Sequence, residues 1–165
     1  MCSSDLVDVY LNLSGVLRNF QLFTNVDVAG SYTPLPTPPF RNTVVVDGYR
    51  FEVHGTPHLQ AIQGASLPVT VTDPSGRPAT FTPWYGALGH AIFFRTETLA
   101  YFHTHICGPN TPGCTGFGAA IVGHSSTPGK LQVGVLLPEA GTWRLFLQCK
   151  VDGHVLTAPF TLKAA

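Results

Sequence analysis

Glycine and proline constrain the fold of this chain more than any other feature, because 17 glycines and 14 prolines are scattered through its 165 residues. Both residue types interrupt helices, and no helical periodicity long enough to indicate a stable helix separates them. Strands need only four to eight residues between turns, so they tolerate this spacing. The distribution therefore predicts an all-β chain.

Turn signals recur about every ten residues beyond residue 42 and separate short apolar segments. An Asp-Gly turn at 47–48 joins two strand-like segments, the combination that is typical of a hairpin. The predicted strands cover residues 43–46, 49–53, 67–72, 91–94, 99–102, 131–137, 143–150 and 154–162. Antiparallel strands at this spacing predict an immunoglobulin-like β-sandwich.

The chain is predicted to contain more than one module. Four prolines between residues 31 and 40 favour an extended linker, which we place at 31–42. Residues 43–163 are then the sandwich domain, and residues 7–30, with alternating apolar positions, the C-terminal fragment of a preceding β module. Residues 1–6, read back into codons, match the end of a common sequencing adapter, so we expect them to be non-native.

Composition narrows the possible partners. The formal net charge is zero and only 11% of residues are charged, so no basic surface is expected to bind nucleic acid. The hydrophobic fraction of 44% suffices for a packed core. No apolar run approaches 18 residues, so no membrane span is expected.

Three of the seven histidines cluster in a predicted hairpin at His90, His103 and His105. Residues i and i+2 of a strand share a face, so His103 and His105 project together. Imidazoles at this spacing suit Cu²⁺ or Zn²⁺. His90 joins them only if paired residue numbers sum to 193 or 195, because a sum of 194 turns it to the other face. The alternative is a structural, hydrogen-bonding histidine group.

Two cysteines bracket a Gly/Pro loop directly after the histidine pair. A Cys107–Cys114 disulfide would pin this loop and would indicate an oxidising compartment. Alternatively, Cys107 continues the face of His105 and supplies a thiolate ligand, which would favour copper or zinc. Cys149 lies in an apolar segment and is predicted to be a buried free thiol.

The remaining candidates are weaker. We interpret His54, His58, His124 and His154 as surface or turn residues. Trp84 and Tyr85 could wall a pocket near His90, but we expect them to pack in the core.

No catalytic motif is present, and neither Glu97 nor Glu139 is placed as a buried acid or base, so we expect no enzymatic activity.

Four segments carry a resemblance to a known family: PWYGALGH (83–90), LAYFHTH (99–105), PEAGTWRLFLQ (138–148) and VDGHVLTAPFTL (151–162). They resemble bacterial secreted proteins with tandem immunoglobulin-like modules, some of them associated with heavy-metal-binding domains. The family's histidine positions match His90, His103 and His105. Ile106 replaces the family's proline, Cys149 replaces an aromatic or aliphatic residue, and the cysteine loop lies outside the general pattern.

The resemblance implies a secreted or periplasmic setting, with a signal peptide lost by truncation and other envelope domains as partners. The first hypothesis is a module that binds copper or zinc for metal handling or resistance. The second is a structural or adhesive envelope module in which the histidines are incidental. The third is a metalloenzyme with an open coordination position, for which the sequence supplies no acid or base.

Overall fold

The computed structural model describes residues 2–13, 16–27, 29–31, 33–106 and 127–165. For the residues up to 26 it describes the backbone alone. The chain divides into two compact units, Met1–Pro36 and Thr37–Ala165. In the part of the chain described, no helix is long and apolar enough to cross a membrane.

The first unit contains one antiparallel hairpin. Strand β1 (Cys2–Leu13) pairs with β2 (Val16–Asp27) along its whole length, with Val7 opposite Leu22. The sequence indicated alternating apolar positions only from residue 7 onward, whereas the structure forms two twelve-residue strands that begin at Cys2. A continuous antiparallel ladder pairs polar and apolar positions alike, which is why the strands extend beyond the alternating segment. The assignments of residues 1–6, 7–30 and 31–42 stay predictions.

The second unit is built from two antiparallel sheets. The four-stranded sheet has the order β3-β4-β5-β9, with strands at Thr43–Val46, Tyr49–Val53, Ala65–Thr72 and Lys130–Val135. The five-stranded sheet has the order β11-β10-β7-β8, with β6 also pairing with β10. Its strands are β6 (Phe81–Thr82), β7 (Gly89–Arg95), β8 (Tyr101–Ile106), β10 (Gly141–Val151) and β11 (His154–Ala164). The all-β sandwich prediction is confirmed, and its immunoglobulin type stays a prediction.

Alternating burial shows how the two sheets pack. On β10 the odd-numbered residues from Trp143 to Val151 are buried, and the even-numbered ones are partly exposed. The buried residues join one hydrophobic core with both sheets, in which Phe51, Phe93 and Phe160 are among the largest fully buried side chains. The side of the five-stranded sheet that faces away from this core is called the outer face below.

Two tight turns follow directly from their sequences. Asp47 and Gly48, and likewise Asp152 and Gly153, have positive φ angles, which aspartate tolerates and glycine adopts without strain. The Tyr49 hydroxyl donates a hydrogen bond of 2.5 Å to the Asp152 carboxylate, which links one turn to the other sheet. The hairpin predicted at 47–48 is confirmed, and the strands predicted at 143–150 and 154–162 pair in the same way.

Cys149 is a free thiol on the buried face of β10, as the sequence predicts. Burial raises its pKa to about 12, because the surrounding core disfavours the charged thiolate. Its side chain faces the core, whereas Gln148 and Lys150 face outward. Cys149 is therefore neither a metal ligand nor a reactive nucleophile in the folded protein.

Candidate metal centre

The register between β7 and β8 places the three clustered histidines on one face. His90 lies opposite His105, and Ile92 lies opposite His103, so paired residue numbers sum to 195. This is one of the two registers that bring His90 to the others. The intervening Ala91 and Thr104 are buried on the opposite side. The histidine cluster of His90, His103 and His105 therefore occupies the outer face of the five-stranded sheet.

The imidazole rings converge closely enough to share a metal ion. Nδ1 of His90 lies 3.1 Å from Nε2 of His103, and the His105 ring centroid is 4.9 Å from that of His90 and 5.2 Å from that of His103. One nitrogen from each ring lies within 4.8 Å of the other two. Tetrahedral ligation at about 2.0–2.1 Å needs nitrogens roughly 3.3 Å apart. The nitrogens of His90 and His103 are already close to that spacing.

The burial of the cluster is graded. His90 is only 6% exposed, while His103 and His105 are half-buried. His90 thus forms the floor of the cluster, and the two histidines of β8 are its more exposed members. Within the described residues, the cluster offers three nitrogen ligands to one ion, which is the number that protein side chains supply in catalytic zinc sites.

A tight turn before β7 orients the buried histidine. Tyr85 and Gly86 have φ angles of 46° and 76°, and Trp84 and Ala87 exchange backbone hydrogen bonds of 2.9 and 3.3 Å. The Trp84 carbonyl also accepts a hydrogen bond of 2.9 Å from Nε2 of His90. Because a carbonyl only accepts, Nε2 carries the proton, and the lone pair of a neutral His90 is on Nδ1. Nδ1 is the nitrogen that faces His103.

Trp84 and Tyr85 do not pack in the core, so that prediction was wrong. The Trp84 ring lies 5.1 Å from the His90 ring in an edge-on arrangement, and Tyr85 is 80% exposed. The turn explains the difference, because Trp84 and Tyr85 lie before β7 and are not on a strand whose alternation could direct them into the core. Together these two aromatic residues flank the histidine cluster.

Gly89 allows β7 to approach β10 closely beside the cluster. A Cβ atom at this position would overlap the carbonyl oxygen of Gln148 and contact the Ile106 side chain. Gln148 pairs with His90 in the ladder, so any larger residue at 89 would disturb the strand that holds His90. The close approach at Gly89 was not predicted, although a glycine directly before a strand histidine is a visible signal of it.

The other histidines that the structure describes are not members of the cluster. His54, His58 and His154 are exposed, as expected, and Nε2 of His54 lies 3.0 Å from the Thr70 hydroxyl. Cys107, Cys114 and His124 lie outside the described residues, so the disulfide and the thiolate ligand stay predictions. The role of the Trp84 carbonyl was not predicted either, because no side-chain pattern reveals it.

The fold and the site define an all-β sandwich module that carries a three-histidine cluster on the outer face of one sheet. The chain belongs to the DUF8832 family, a domain of unknown function, whose family model matches residues 43–165. No curated protein matches the chain.

Disrupting the turn at Tyr85 tests whether the Trp84 carbonyl orients His90. Proline cannot adopt the φ angle of 46° found at this position, whereas asparagine tolerates it. We expect Tyr85→Pro to weaken metal binding roughly 10- to 100-fold, the usual effect of losing a partner that orients a ligand. Tyr85→Asn should bind like the wild type. Equal affinities of the two variants in calorimetry, with unchanged thermal unfolding, would contradict this role.

Proposed function

We propose that this protein binds a transition metal ion through His90, His103 and His105, copper in preference to zinc, and serves in metal handling or resistance. The single observation that carries the proposal is the convergence of three imidazoles from two adjacent strands, each offering a nitrogen within 4.8 Å of the others. A polar strand face that only contacts solvent would not need its imidazole rings to converge in this way.

The hydrogen bond to Trp84 strengthens this argument. Ligating histidines commonly donate their second ring N–H to a carbonyl or carboxylate, which fixes the tautomer and the ring orientation. His90 shows this arrangement, with Nε2 bonded to the Trp84 carbonyl and Nδ1 directed into the cluster. The buried ligand is thus oriented before an ion arrives.

The donor set favours copper or zinc. Imidazole nitrogens suit Cu²⁺, Zn²⁺ and Ni²⁺, whereas Mg²⁺ and Ca²⁺ prefer oxygen ligands. For a given nitrogen site the affinity order of divalent ions peaks at Cu²⁺. Copper is therefore placed before zinc.

Binding is proposed rather than turnover because of what surrounds the cluster. Glu97 and Glu139 both pair with Arg95 at the opposite end of β7 from His90. Within the described residues, the cluster of potential ligands contains histidine alone. A hydrolytic site would need a positioned acid or base beside the metal.

The cellular setting is part of the same proposal. The resemblance to bacterial secreted proteins with tandem immunoglobulin-like modules supports a secreted or periplasmic location, and the expected Cys107–Cys114 disulfide fits an oxidising compartment. Other envelope domains are the proposed partners besides the metal ion.

A structural or adhesive envelope module is the second candidate. It is favoured by the described residues between 33 and 42, which are exposed and form no strand. Such a segment suits a spacer between modules. In that case the histidine cluster would bind no metal tightly.

Calorimetric titration of Cu²⁺ and Zn²⁺ separates the two candidates. We expect one ion per chain for the wild type and at least about a 100-fold loss of affinity for His103→Ala/His105→Ala, since removing two ligands costs more than removing an orienting partner. The matched control is His54→Ala/His58→Ala, which removes two exposed histidines outside the cluster. All variants keep the four cysteines, so any thiol binding contributes equally. Equal stoichiometry and affinity of the cluster variant and the wild type would overturn the proposal.

A further inference from the structure

A cavity of about 570 Å³ lies at one end of the outer face of the five-stranded sheet, a volume within the range of small-molecule binding pockets. Its lining residues come from β10 and β11 and from the segments 37–40 and 56–57. All of them belong to the second unit and to the part of the chain that the structure describes. Along β10, Thr142 of the lining is six residues from Gln148, the partner of His90. The cavity is therefore roughly 20 Å from the histidine cluster.

Three of the four strand residues that line the cavity are polar. Thr142 of β10 lies directly opposite Lys163 of β11, and Thr161 is on the same face two residues before Lys163. Side chains that oppose each other in this way have Cβ atoms about 4.5–5.5 Å apart. Two hydroxyl groups and one ammonium group are thus close together at the cavity, and all three can donate hydrogen bonds.

Arg144 fixes the buried member of this group as a donor. Thr161 is only 5% exposed, and Nη1 of Arg144 donates a hydrogen bond of 2.5 Å to its hydroxyl oxygen. Because a guanidinium group only donates, the threonine oxygen accepts in this bond, and its own hydrogen can be donated to a ligand. The Arg144 guanidinium packs over the Phe146 ring, 5.7 Å from its centroid, and adds a second positive charge behind Thr161.

The segments that complete the cavity are largely apolar. Residues 38–40, two prolines and a phenylalanine, line it together with Pro57. Directly after them, the Asn42 carbonyl accepts a hydrogen bond of 2.8 Å from the Val53 N–H, which ties this segment to β4. Proline rings have a fixed φ angle, so the apolar surface is ordered before a ligand arrives.

The charges at the cavity favour an anionic ligand. Among its lining residues, all of which the structure describes, Lys163 is the charged one. The Thr142 carbonyl accepts a hydrogen bond of 2.9 Å from the Thr96 N–H, which brings the turn that holds Glu97 to this end of the sheet. Glu97 and Glu139 both pair with Arg95, so their charges are offset locally.

We propose that this cavity binds a small organic acid whose carboxylate is attached to an aromatic or other bulky apolar body. The carboxylate accepts a charge-assisted hydrogen bond from Nζ of Lys163 and further hydrogen bonds from the hydroxyls of Thr142 and Thr161. The apolar body packs against residues 38–40 and Pro57. Acid binding here is independent of the proposed metal binding, because the cavity lining and the histidine cluster share no residue.

Titration of the ¹⁵N-labelled protein with 2-naphthoate tests this proposal, and 2-naphthamide serves as a neutral ligand of the same shape. We expect naphthoate to shift the backbone amide signals of the lining residues Thr56, Thr142, Thr161 and Lys163 and to saturate at one molecule per chain. Naphthamide should bind about tenfold more weakly, the size of one charge-assisted hydrogen bond.

Three variants separate the charged contact from the apolar one. Lys163→Met should weaken naphthoate binding about tenfold and leave naphthamide binding unchanged, while Lys163→Arg should restore most of the naphthoate affinity. Phe40→Ala should weaken both ligands equally, roughly threefold to tenfold, because it removes an aromatic contact and no charge. The matched control is Lys150→Met, which removes a lysine at the other end of β10 and should bind both ligands like the wild type.

Several outcomes would overturn the proposal. Equal affinities for naphthoate and naphthamide would show that the carboxylate is not recognised, and equal naphthoate affinities of Lys163→Met and the wild type would exclude Lys163 as its partner. Amide shifts confined to residues outside the cavity lining would place the ligand elsewhere. An acetylated tripeptide that ends in phenylalanine and binds more tightly than naphthoate would identify the occupant as a peptide carboxyl terminus instead of a small acid.

Discussion

Saturating metal is expected to raise the free energy of unfolding by about 4 kcal/mol when the free ion is at roughly 1,000 times its dissociation constant. The physical reason is that the site exists only in the folded register, where His90 of β7 lies opposite His105 of β8. An ion held by both strands therefore opposes their separation. Urea denaturation with and without Zn²⁺, followed by circular dichroism, measures the difference.

His90→Ala should abolish most of this stabilisation. His90 is the buried member of the cluster and its only member on β7, so its loss removes the link between the strands. The matched control is His154→Ala, an exposed histidine at the first position of β11, which should retain the full metal effect. Equal metal-induced stabilisation of both variants would show that the ion binds elsewhere.

Replacing Trp143 with alanine is expected to lower the free energy of unfolding by about 3–5 kcal/mol. Trp143 is fully buried in the core between the sheets, and its indole N–H donates a hydrogen bond of 3.1 Å to the Glu139 carbonyl. Truncation removes the largest buried side chain and leaves a cavity that the two sheets cannot close without shifting. Equilibrium unfolding in urea measures the loss.

Phe146→Ala is the matched control for that substitution. Phe146 lies on the same strand but on the outer face, where it is half-buried beside Arg144. Its truncation should cost about 1–2 kcal/mol, because less apolar area leaves water and no closed cavity forms. Equal losses for the two variants would contradict the assignment of the inner and outer faces.

The local parts of the fold could be predicted from the sequence. The Asp47–Gly48 turn and the strands on either side of it form as expected, because this turn chemistry and its flanking apolar residues act over a few positions. Cys149 is a buried free thiol for the same reason, since it follows the alternation of a single strand. In the first unit, strand length was predicted poorly, because pairing along a whole hairpin extends beyond the apolar alternation.

The candidate site could be predicted in its residues but not in its geometry. His103 and His105 share a face by strand periodicity alone. The contribution of His90 depends on the register between β7 and β8, which the pairing of the two strands determines. The Trp84 carbonyl and the close approach at Gly89 depend on backbone placement, which side-chain patterns do not encode. The same limit explains why Trp84 and Tyr85 were wrongly assigned to the core.

Long-range ¹⁵N–¹H correlation spectra of the histidine rings during Zn²⁺ titration test the central claim most directly. We expect the ring nitrogens of His90, His103 and His105 to shift together and to saturate at one ion per chain. Within His90, Nδ1 should shift as the ligand while Nε2 stays protonated on the Trp84 carbonyl. Unchanged signals from these three rings, with shifts confined to His54, His58 or His154, would contradict metal binding at the cluster.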